Sequence, residues 1–317
     1  QIVLACGAEP VALNVAGEEH LVDNEGFLSL ASMPRRVVFV GGGYIAAEFS
    51  NIASLAGAEV TILQSGERML EAFDADLVGW LMEKFVTFGI DVRTGTSVVA
   101  VEKIGGGYRV SARQGGMMTS VDADLVVHAA GRAPPLAQLR LEVAGIEVNK
   151  GKLVLNEFLQ SVSNPAVYAA GDAAGKGPPL TPVASHDAEV VAANLLQGNH
   201  TKPDYRGVPS VVFSLPPIAS VGLTEAEARG QGLQFHITCQ KAGTWFTARQ
   251  AAEPVYGFKV MIEKKTGRVL GAHLVGPHVD DNINLFALAI RHGITADALK
   301  ATMFAYPTSA SDIGHML

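Results

Sequence analysis

The feature that most restricts this chain is a run of three glycines, Gly41-Gly42-Gly43, set between two segments of different texture. Before it, "RRVVFV" is short, apolar and β-branched, as a strand buried on both faces should be. After it, "YIAAEFSNIASLAGA" carries apolar residues at helical spacing and ends near a glycine, and "EVTILQ" is a second buried strand. Strand, tight turn, helix and strand within about thirty residues form a βαβ unit, which calls for a parallel sheet and an α/β fold. Gly41-Gly42-Gly43-Tyr44-Ile45-Ala46 fits G-x-G-x-x-A in the context that gives that pattern meaning. Gly41 permits the tight turn, Gly43 lets backbone approach a pyrophosphate, and Ala46 allows close helix–strand packing. The pyrophosphate then sits at the positive end of the helix.

Selectivity between nicotinamide nucleotides belongs at the end of the second strand, about twenty residues on. That position is Gln64, followed by Ser65. An acid there binds ribose hydroxyls and repels an extra phosphate, and Gln64 does neither strongly. Ser65 and Arg68 offer a place for a phosphate, while Glu67 and Glu71 offset them. The balance leans to NADPH, with Arg68 reading equally well as a solvated surface charge.

Elsewhere, "DADLVGWLMEKFVTFG" reads as a helix with acids in its first turn, and "DVRTG" as another parallel strand. Residues 97–131 change to short strands joined by glycine-rich turns, ending in an apolar strand at Asp124–Ala130. A strand then closes at Gly171-Asp172, and a helix is expected from about Val183 to Leu196. The polar stretch "NHTKPDYRGVP" reads as a linker, and the remainder mixes strands with helices. Asp172 ends an apolar strand, where ligands of such sheets bind, and its carboxylate can accept hydrogen bonds from sugar hydroxyls. Read alone, it serves as well as an ordinary cap. Thr181 and Pro182 open the next helix, whose start favours negative charge.

The formal net charge of -7 and the lack of a long basic run argue against nucleic acid or an anionic membrane as partner. No apolar stretch reaches the ~20 residues of a membrane span. The two cysteines, Cys6 and Cys239, match no metal or CxxC pattern, so no metal is expected and a reducing cytoplasm is the default location. Cys239 reads as a buried, inert thiol. The opening "QIVLACGAEP" lacks a Met and reads as a buried strand, so the chain is expected to begin partway through a longer protein.

Several of these segments, in order, resemble the glutathione reductase and dihydrolipoamide dehydrogenase family, the class I pyridine nucleotide-disulfide oxidoreductases. "ACGAEP", with Cys6 and Gly7, looks like the family's turn beside the flavin, Cys6 standing where threonine is usual. "GGGYIAAEF" resembles its nicotinamide signature, which implies that Tyr44 covers the nicotinamide pocket and that Glu48 pairs with an upstream lysine near the flavin. "AAGRAPP", with Gly131 and Arg132, resembles its return crossing into the flavin domain, and "VYAAGDAAGKGPPLTPVA" its second flavin motif. "PSVVFSLPPIASVGLTEAEA" and "GAHLVGPHVDDNINLFALAI" resemble its dimerisation domain. The resemblance implies a partial FAD-binding domain at 1–32 and 129–202, an inserted NAD(P)-binding domain at 33–128, and an interface domain at 203–317 that makes a homodimer. It implies hydride transfer from NAD(P)H to FAD and on to a small-molecule or disulfide acceptor. It also implies that the first FAD half lies outside this chain, which by itself is expected to hold FAD poorly.

One segment departs from the family. Its disulfide-reducing members carry a His-Pro near the C-terminus, with a glutamate five residues after the His. Here "FAYPTSASDIGHML" places Tyr306 and Ser311 at those positions, with Asp312 adjacent. A tyrosine, with pKa ~10, stays neutral and donates a hydrogen bond or a reluctant proton. Three readings follow: a disulfide reductase with altered acid/base chemistry using Tyr306, a flavoprotein reductase or oxidase of a non-thiol acceptor, and a non-catalytic nucleotide-binding dimer.

Overall fold

The computed structural model describes all 317 residues. A short strand, β1 (Ile2–Leu4), opens the chain. The glycine-rich region forms β2 (Arg36–Val40), α1 (Tyr44–Leu55) and β3 (Glu59–Leu63), followed by α2 (Ala75–Thr87) and β4 (Asp91–Arg93). Three antiparallel strands come next, β5 (Thr96–Ile104), β6 (Gly107–Gln114) and β7 (Met117–Ala123), and then β8 (Leu125–His128). After these come β9 (Val167–Ala169) and α3 (Thr181–Gln197). The last part comprises β10 (Ser210–Val212), β11 (Ile218–Gly222), β12 (Phe235–Lys241), β13 (Gly257–Glu263), β14 (Val269–Val275) and α4 (Val279–His292).

Two compact units result: Gln1–Val11 with Gly131–Arg206, and Ala12–Ala130 with Gly207–Leu317. In the second, β4-β3-β2-β8 is a fully parallel sheet. The central strand β2 buries Val37, Val38, Phe39 and Val40, which is why its sequence is apolar without alternation. Residues 12–30 pack here: Val22 donates its amide to Val126, and Phe27 stacks on Phe49 with centroids 4.7 Å apart.

The same unit holds a five-stranded antiparallel sheet in the order β10-β11-β14-β13-β12. One hydrophobic cluster joins both sheets, with Phe39, Leu77, Leu81 and Phe85 on one side and Val212, Ile218 and Val275 on the other. A buried charge ties them further. Asp74 caps α2 by accepting the amides of Asp76 and Leu77, and its other oxygen takes Lys259 Nζ at 2.8 Å. Asp76 and Glu225 complete the ring at 2.6 and 3.3 Å. Burial alone lowers the Lys259 pKa, but hydrogen bonds to Asp74 and Asp76 outweigh it and the net shift is upward.

The first unit pairs β1 with β9 in parallel and packs α3 over a core that includes Leu159, Tyr168 and Val190. β1 is not the buried strand its composition suggests. Ile2 is 57% exposed and Val3 42%, because β9 is the strand's sole partner. Cys239 is also exposed, since it lies on β12 at the edge of its sheet. No helix is long and apolar enough to cross a membrane, and no group of three or more His, Cys, Asp or Glu is arranged to hold a metal.

Candidate functional site

The turn after β2 is shaped by a backbone approach. Gly41 has φ +107°, and a Cβ there would overlap the carbonyl of Ala129, just past β8. Only glycine fits both conditions. A Cβ on Gly43 would meet nothing nearer than 3.8 Å, so this part of the turn is open. No side chain caps Gly43, and the first amides of α1 face that opening. Ala46 is fully buried, and Ile45 is half-buried behind it. The turn therefore offers a cradle and a positive helix end at the C-terminal edge of a parallel sheet, which fits a pyrophosphate.

Tyr44 stands at this helix start with its ring 5.7 Å from Phe73. Burial raises its pKa, a hydrogen bond with Ser210 opposes the rise, and the charge of Glu48 adds to it. Glu48 Oε1 accepts the amide of Phe213 at 2.9 Å, so one of its oxygens holds the strand β10 end in place. Asn51, one turn on, accepts the amide of Leu215 at 2.7 Å. Gln64 packs over Gly42, while Ser65 is exposed. Arg68 does not reach outward as a phosphate receiver would: its Nη1 donates to Leu70 O at 3.2 Å and Phe73 O at 2.8 Å, and its Nη2 to Glu71 O.

In the first unit, the segment after β1 meets the return crossing. Val11 donates its amide to Gly131 O at 3.1 Å, and Arg132 donates to Ala8 O. Cys6 is exposed, and Gly7 and Gly131 both have positive φ, +64° and +112°. Gly171 has φ +63° and sits so close to α3 that a Cβ would lie 3.0 Å from that of Ala184. Asp172 follows in a single 3-10 turn and is half-buried. Thr181 and Pro182 are exposed in the first turn of α3, which no side chain caps. A helix end open to negative charge beside a carboxylate that can accept sugar hydroxyls fits a flavin dinucleotide.

Sequence reading missed the residue that holds this second turn. Asp187 is fully buried, accepts the Gly171 amide at 3.0 Å and accepts the Tyr205 hydroxyl at 2.7 Å. Burial, and then the hydrogen bond to Asp187 and its charge, push the Tyr205 phenol well above its ordinary pKa, so it stays a donor. The available signal was an aspartate on the apolar face of a helix. At the C-terminal end, Tyr306 is 78% exposed, its ring 6.4 Å from that of Phe246. Asp312 turns away from it and accepts the Tyr256 hydroxyl at 3.0 Å, and Ser311 donates to Thr308 O.

The βαβ cradle, the second uncapped helix and the antiparallel sheet define a dinucleotide-binding α/β protein. Residues 1–188 match the model of the pyridine nucleotide-disulphide oxidoreductases, and residues 208–317 match that of their dimerisation domain. Dihydrolipoyl dehydrogenase of Bacillus subtilis (strain 168) is 32% identical over 308 residues, which are 96% of this chain and 65% of that protein. An uncharacterized 19.7 kDa protein in a mercuric resistance operon of Staphylococcus aureus is 50% identical over 180 residues, 56% of this chain and 100% of that one. The structure of the HOCl-induced flavoprotein disulfide reductase RclA from Escherichia coli superposes with a TM-score of 0.90 at 25% identity, covering 100% of this chain and 72% of that one. This chain belongs to the pyridine nucleotide-disulphide oxidoreductase family. It spans 65% of the length of the Bacillus subtilis dehydrogenase and 50% of that of the mercuric reductase of Bacillus cereus.

Proposed function

We propose that the protein is an FAD-dependent NAD(P)H oxidoreductase, homodimeric through residues 203–317 and working in the cytoplasm. The observation that carries this reading is the open, glycine-built start of α1 at the C-terminal edge of a parallel sheet. Gly41, Gly43 and the amides of Tyr44, Ile45 and Ala46 hold the nicotinamide nucleotide's pyrophosphate, and Tyr44 shields the ring end. Cys6, Gly7, Gly131, Arg132, Gly171, Asp172, Thr181 and Pro182 serve the flavin, Asp172 by accepting ribityl hydroxyls and the α3 start by favouring negative charge. When bound, the two cofactors supply the hydride chemistry, and the chain supplies orientation and electrostatics. Glu48 positions its helix against β10 through the Phe213 amide.

The acceptor reading favoured here is a non-thiol one. Tyr306 is exposed, and the carboxylate six residues on is held by Tyr256, so no charged pair stands ready to stabilise a thiolate. Anaerobic addition of NADH or NADPH to the flavin-loaded protein tests the first claim: the flavin absorbance should bleach, and an unbleached flavin with both nucleotides contradicts it. A thiolate–flavin charge-transfer band on reduction contradicts the non-thiol reading.

A further inference from the structure

We propose that Glu71, held in place by Gln64, selects NADH over NADPH; this rests on the nicotinamide-nucleotide reading of the α1 start. A carboxylate normally stands at the end of the second strand to accept the ribose 2′-hydroxyl. That position is Gln64, yet the fold returns a carboxylate to it from seven residues downstream. Gln64 Nε2 donates to Glu71 Oε1 at 3.2 Å and to Arg68 O at 3.3 Å. The loop between them closes onto the glycine turn. Leu70 donates its amide to Gly42 O at 2.8 Å, and a Cβ on Gly42 would stand 3.0 Å from Gln64 Cγ. Glycine at 66 leaves the room Glu71 needs, since a Cβ there would overlap Glu71 Oε1.

The cations that could welcome a 2′-phosphate are turned to other work. Arg68 gives its guanidinium to the carbonyls of Leu70, Glu71 and Phe73. Arg93, opposite Leu63 in the sheet register, lies 2.7 Å from Asp91. Glu67 and Glu71 are both exposed on the loop. A 2′-hydroxyl can donate to Glu71, whereas a 2′-phosphate meets like charge with its counter-ions already engaged.

Calorimetric titration of the 317-residue chain with NADH and with NADPH reads this directly. NADH is expected to bind about 100-fold more tightly, the order that like-charge juxtaposition at a recognition site produces. Glu71→Gln should narrow the ratio to about tenfold or less, by weakening NADH and strengthening NADPH. Gln64→Ala, which frees the Glu71 carboxylate, should also narrow it, with circular dichroism showing both variants folded. NADPH binding as tightly as NADH overturns the selectivity alone, and an unchanged ratio in both variants overturns the role of Glu71. Failure of both nucleotides to bind the unmodified chain removes the nucleotide site itself, and this inference with it.

Discussion

Two helices begin where a dinucleotide is expected, α1 at Tyr44 and α3 at Thr181, and they are held by different means. Neither is capped by a side chain. The turn before α1 is fixed by backbone alone, with Gly41 lying against the Ala129 carbonyl. The turn before α3 is fixed by a buried side chain, Asp187, reaching back to the Gly171 amide. A backbone fit leaves a glycine signature in the sequence. A side-chain fit leaves an aspartate sixteen residues away, with nothing local to mark its partner. The first kind of turn tolerates no substitution at one position, while the second can be loosened in steps.

Gly41→Ala should have the largest effect. It forces a Cβ into the Ala129 carbonyl at a φ that L residues avoid, and a cost of roughly 5 kcal/mol is enough to unfold a marginally stable domain. Urea unfolding that shows less than about 1 kcal/mol would mean the turn can relax and is not set by the backbone approach.

Lys259→Met asks whether a buried charge in the α1 unit matters as much as that glycine. It leaves Asp74, 7% exposed, without its partner, at a cost of about 4 kcal/mol. Because the folded Lys259 pKa is raised, its contribution is fully present below the ordinary lysine value of about 10.4 and is lost as pH rises through the higher folded value. The gap between the original protein and the variant should be flat from about pH 6 to pH 10 and narrow above that as Lys259 deprotonates. A gap that closes towards neutral pH contradicts this.

Asp187→Ala should cost about 2 kcal/mol, taking the buried acceptor away from the half-buried Gly171 amide and Tyr205 hydroxyl. Asp187→Asn keeps one acceptor and should cost about half as much, the stepwise loosening that Gly41 does not allow. Equal losses in the two variants would place the effect in charge rather than in hydrogen bonding. The smallest change is expected at Tyr306→Phe, under about 0.5 kcal/mol in unfolding, since the side chain is exposed. If its hydroxyl delivers a proton, acceptor turnover in the flavin-loaded protein should fall about tenfold or more; unchanged turnover removes it from the chemistry.

The comparison also explains what could be read from the chain alone. β2, α1 and β3 were legible because apolar runs and helical spacing are local signals, and Gly41 because a tight turn requires its residue type. Asp187 and Lys259 were not, because each takes its meaning from a partner brought close by the fold: Gly171 and Asp74. Arg68 reads equally as a phosphate receiver or a solvated charge, because sequence shows a charge and not where its donors point.

The most direct measurement is amide hydrogen exchange on the chain with and without NADH, resolved to peptides. Nucleotide seated on the α1 start should slow exchange in the segment spanning Gly41–Ala47 and, more weakly, in the Gln64–Glu71 loop. Slowed exchange confined to other segments, with Gly41–Ala47 unchanged under saturating NADH, contradicts the account.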